Sequence, residues 1–67
     1  MNSRQFYNIK IVLKLLNACS DPKNKDIRFG QLLTNLGILL YQEGEPRDIY
    51  NDESSSIYKR ICASVSR

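Results

Sequence analysis

Apolar residues recur at three-and-four spacing in three stretches of the chain, the mark of helices that each bury one stripe. The clearest stretch is 26–41, DIRFGQLLTNLGILLY, where Phe29, Leu32, Leu33, Leu36, Leu39 and Leu40 share a face. The pattern predicts the central helix of a small bundle here, over about 27–42. Asp26 is its N-cap candidate, since a short carboxylate accepts the free amide hydrogens of a first turn. Gly30 falls in that first turn, but Gly37 sits where glycine costs roughly 1 kcal/mol against alanine. Two reasons would account for it. One is a close approach to the first helix. The other is a helix end at Leu36 with Gly37 as C-cap, leaving 38–41 as a buried extended piece. The continuous helix is the expectation adopted.

A first helix is predicted over about 3–19, capped by Asn2 or Ser3 and stopped where Asp21-Pro22 begins a turn. Phe6, Ile9, Val12, Leu13, Leu16 and Cys19 form its expected inner face. Ile11 and Leu15 lie off that stripe, so the apolar surface is wider than one helix contact requires. Either both other helices flank this one, or its spare face waits for a partner. Gly44 and Pro46 end the second helix, and Asn51 or Asp52 can cap a third over about 52–64. There Ile57, Ile61 and Ser64 or Val65 are expected inside, with Ile49 and Tyr50 folded back on the core before the cap. The fold class that follows is all-α, a small three-helix bundle making one domain of residues 1–67.

Length makes that bundle thin, because a chain of 67 residues buries only about 60% of the surface its unfolded form exposes. A hydrophobic share of 42% still belongs to a folded protein and not to a disordered tail. No apolar run approaches the ~20 residues of a membrane span, and the first residues lack the apolar core of a secretory signal. A cytoplasmic protein with no membrane partner is expected, in a bacterial host cell if the chain is phage-encoded. Cys19 and Cys62 are expected as reduced, mostly buried thiols, with a disulfide between neighbouring helix ends as the alternative. Without histidine, two thiols build no ordinary zinc site, so no metal and no cofactor is expected.

Charge distribution adds more than the net +3 does. The first helix carries Arg4, Lys10 and Lys14 and no acid; 43–53 carries five acids against Arg47; then come Lys59, Arg60 and Arg67. Attraction between the acidic connection and the basic helices explains this pattern; so does a polarised surface that meets a charged partner. The usual catalytic signatures are missing. There is no histidine to act as a base, and the carboxylates gather in one loop, where capping explains them. No glycine-rich phosphate loop follows a strand. An enzyme is not expected. Binding of DNA or RNA through Arg4, Lys10, Lys14, Lys59 and Arg60 is the alternative, weakened by Asp48, Asp52 and Glu53 at the start of the third helix.

The run Arg28-Phe29-Gly30-Gln31-Leu32-Leu33, followed by Asp48-Ile49-Tyr50 and Asp52-Glu53, resembles a pattern found in small helical proteins of bacteriophages, prophages and their hosts. Those proteins share an R-[FL]-G-Q-[LI] run, a D-x-[FY] element and acids opening a last helix. The resemblance covers about residues 26–61 and implies a compact helical module in which Arg28, Gln31, Asp48 and Tyr50 have matching roles; it carries no settled activity. Physically, Arg28 is expected to pair with Asp48, and Gln31 to hydrogen-bond the loop carrying Tyr50. The functional version makes these residues, with Lys10 and Lys14, a partner-recognition patch. The expected function is therefore a protein-binding module, a phage-type inhibitor of a host protein of the anti-CRISPR kind. The partner is a host protein or a second copy joined through the first helix; nucleic acid is the lesser alternative.

Overall fold

The computed structural model describes the backbone of residues 2–65 and the side chains of residues 2–64. The expected inward placement of Val65 and the cation at Arg67 lie outside the described residues. Among these residues the chain folds as helix α1 (Ser3–Ser20), a 3-10 turn (Pro22–Asn24), helix α2 (Phe29–Leu36), strands β1 (Tyr41–Gln42) and β2 (Glu45–Pro46), and helix α3 (Ser54–Val65). The protein is mostly helical, but the two-stranded hairpin means that it is not strictly all-α.

α1 begins and ends for local reasons. The Asn2 side chain accepts a hydrogen bond from the Gln5 N–H at 2.8 Å, capping the first turn. At the other end, Asp21 is extended and donates its N–H to Ala18 O, while its carboxylate accepts from Lys23 N–H at 3.1 Å. Pro22 then opens the 3-10 turn, where its missing N–H costs nothing.

α2 is shorter than expected, eight residues instead of about sixteen. It starts after Arg28 and not after Asp26, with the Gln31 side chain accepting from Arg28 N–H at 3.2 Å. It stops at Gly37, whose φ of 85° is left-handed. Ile38 N–H reaches back to Leu33 O at 3.0 Å and Gly37 N–H to Thr34 O at 3.1 Å. Those two bonds make a Schellman cap, which satisfies carbonyls the helix would otherwise leave bare. Gly37 is thus a C-cap, and the close approach it makes is to α3, not α1. A Cβ at this position would lie 3.2 Å from the Arg60 backbone oxygen. The continuous helix over 38–41 is overturned: Ile38 is buried in a bend that follows Gly37, and Tyr41 opens a hairpin.

In that hairpin Tyr41 faces Pro46 and Gln42 faces Glu45. Glu43 and Gly44 form its two-residue loop, both at positive φ, 56° and 82°. This is the turn geometry whose twist matches paired strands.

The core is small. Among the described residues only Leu32, Ile38 and Ile61 are buried, and Ile61 is fully enclosed. α3 packs mainly on α1 and also on α2, so the last helix, and not the second, is central. Phe29, expected in the core, opens α2 and is 59% exposed. Tyr7 and Tyr58 meet across the α1–α3 contact with ring centres 5.6 Å apart.

Candidate protein-interaction face

α1 is apolar on two opposite sides. Ile11, Leu15 and Ala18, with Tyr7, are half-buried and lie on its packed side. Phe6, Ile9, Val12, Leu13 and Leu16 are all 44–61% exposed. At about 100° per residue these two groups point in roughly opposite directions. The larger stripe, expected to face the core, instead faces outward, and so does Cys19. α3 packs on the narrower side, where Tyr58 meets Tyr7. The side expected to be spare, Ile11 and Leu15, is thus the one that packs, and both other helices contact α1; the stripe expected inside is left open among the described residues.

The border of this face is nearly uncharged. Gln5, Asn8 and Asn17 are exposed beside it. Lys10 is the cation at its edge, with Nζ 5.3 Å from the centre of the Phe6 ring. Arg4 on the same helix is directed elsewhere, into a two-point ion pair with Glu53 at 2.8 and 3.2 Å. Beside it Ser54 Oγ donates to Asn8 Oδ1, tying the start of α3 to α1. Lys14 is half-buried and lines a groove with Asn17, Ala18, Asp21 and Leu36.

The other expected recognition residues do not assemble as foreseen. Among the described residues no ion pair joins Arg28 to Asp48. Gln31 caps its own helix and not the Tyr50 loop. Asp48 accepts from the Tyr50 N–H at 2.9 Å, a local turn bond. That turn holds Tyr50 out, 87% exposed instead of folded on the core. Tyr50 shares a shallow groove with Arg4, Asn51 and Glu53.

Arg60 has a role the sequence did not announce. Its Nε donates to Gly37 O at 2.8 Å and its Nη2 to Ile38 O at 3.0 Å. Its Nη1 lies 3.3 Å from Asp52, which Arg47 also grips at 2.6 and 3.1 Å. Ser64 adds a hydroxyl bond to Asn35 O at 2.8 Å. α3 therefore caps the negative end of α2 with a cation and a hydroxyl. The Arg47 hydrogen bonds, then the charges of Arg47 and Arg60, hold the Asp52 carboxyl below the usual carboxylate range against the opposing effect of burial. Asp52, expected as a cap for the third helix, is committed to these arginines. The acidic connection thus pairs with basic helices of the same chain.

Cys19 and Cys62 are not joined to each other. Cys62 is half-buried beside Tyr58, whose phenol is raised above its usual range first by a hydrogen bond to the Cys62 side chain. Among the described residues no cluster of histidine, cysteine or carboxylate side chains could hold a metal ion, and no helix is long and apolar enough to cross a membrane.

Set against known protein families, characterised proteins and solved structures, the chain matches none. The phage-type pattern at Arg28–Leu33 and Asp48–Tyr50 therefore rests on its residues alone.

Proposed function

We propose that this protein is a non-enzymatic protein-binding module that docks through the outer face of α1. The observation that carries this reading is the row Phe6, Ile9, Val12, Leu13 and Leu16, open on a chain whose own core holds so few buried side chains. A solvated helix normally turns such a row inward, and large exposed apolar patches mark contact sites. In the inhibitor form of this reading, the face covers a host protein's working surface, and steric occlusion needs no catalytic group.

The test is capture by the immobilised full-length protein with wild type and Leu13→Lys side by side. Docking predicts a protein bound by wild type and lost by Leu13→Lys, with helix content unchanged by circular dichroism. Recovery of nucleic acid alone, lost at raised salt, would replace this reading with the Arg4, Lys10, Lys14 and Lys59 alternative.

A further inference from the structure

We infer that the occupant of the α1 face is a second copy of this chain, packed helix to helix along the same row. This inference rests on the docking reading and names its partner. Phe6, Ile9, Leu13 and Leu16 stand at intervals of three, four and three, the spacing of the core positions in a two-helix seam. The row spans about 15 Å of helix, three turns. At 44–61% exposure its five side chains leave open roughly 500 Å² of apolar surface, near the upper end for a lone soluble protein. Two such faces bring together about 1,000 Å², the lower bound for a specific contact.

Charge selects among occupants. An anionic bilayer would call for cations around the row, yet Arg4 is tied to Glu53 and Lys14 is half-buried in its own groove. An acidic protein partner meets the same shortage. A second copy needs no opposite charge, because Gln5 and Asn17 border the row and the amine of Lys10 is drawn over Phe6. Stability points the same way: a domain with three buried side chains among its described residues gains from a second copy what its own core lacks.

The experiment is sedimentation equilibrium of the full-length protein from about 10 μM to about 1 mM, under reducing conditions so that the exposed Cys19 thiol forms no cross-link. Wild type is expected to pass from one to two chain masses. Leu13→Lys, placed on an already exposed position, is expected to keep its helix content and weaken association about 100-fold or more. Lys59→Glu, on α3, is expected to associate as wild type does. A wild type that stays monomeric throughout, or a Leu13→Lys variant that dimerises equally well, overturns the inference. In the monomeric case the capture experiment separates the two readings. If Leu13→Lys loses a different protein, docking stands without the dimer; if it loses nothing, both fall. Wild type that stays monomeric and sediments with phosphatidylglycerol vesicles also overturns it.

Discussion

Gly37 meets two constraints at one position. Its φ of 85° costs an L side chain about 1–2 kcal/mol, and an added methyl meets the Arg60 backbone oxygen at 3.2 Å. Backbone cannot swing aside as a flexible side chain can. Gly37→Ala is therefore expected to lower stability by about 1–3 kcal/mol, read from the midpoint of urea unfolding. Arg60 is the second residue on which this corner depends. Its planar fork serves two carbonyls and Asp52 together, an arrangement one ammonium group cannot reproduce. Arg60→Lys is expected to destabilise by about 1–3 kcal/mol despite keeping the charge, again by urea midpoint. A lysine variant as stable as wild type would mean that charge alone holds the end of α2.

Among the elements, the ionic links between the connection and the helices set a pH dependence. The Asp52 carboxyl titrates below its ordinary range, so on acidification the unfolded chain takes up this proton first. The stability it contributes is present above the ordinary carboxylate range and is lost as pH falls through the lowered folded value. Melting temperature is expected to drop as pH goes from about 5 to about 2, and Asp52→Asn is expected to flatten part of that slope. Glu53 is lowered in the same direction by Arg4, but both partners are well exposed, so Glu53→Gln should alter the slope far less.

How legible each element was in the sequence follows from whether its signals were local. The bounds of α1 were readable because Asn2 and Asp21-Pro22 act within a few residues of themselves. The end of α2 was not, since glycine has two meanings in an apolar run, and only the Ile38–Leu33 and Gly37–Thr34 bonds decide between them. The hairpin was hidden because Pro46 argues against a strand and Glu43 has no preference for positive φ. The outward turn of α1 could not be read at all. Both of its sides are apolar, and the bulkier one is a better core on periodicity alone; what decides is the surface of α3, which begins more than thirty residues after α1 ends. The cap that Arg60 places on another helix is non-local in the same way.

At the scale of the whole molecule, a core this small makes stability sensitive to anything that covers α1. If a second copy covers α1, melting temperature is expected to rise with protein concentration, by several degrees over a hundredfold range, and to lose that dependence in Leu13→Lys. Differential scanning calorimetry at several concentrations checks this, and a melting temperature independent of concentration in wild type would count against it.

The hairpin bears on how such association ends. A contact in which the same helix face serves both copies consumes itself, so growth stops at two. Sheet edges have no such limit; each added strand offers another. β1 and β2 are two residues each, Pro46 brings no N–H to its edge, and Glu43 and Glu45 place like charges there. A chain that leaves a sticky helix bare has blunted the edge along which fibres would otherwise extend.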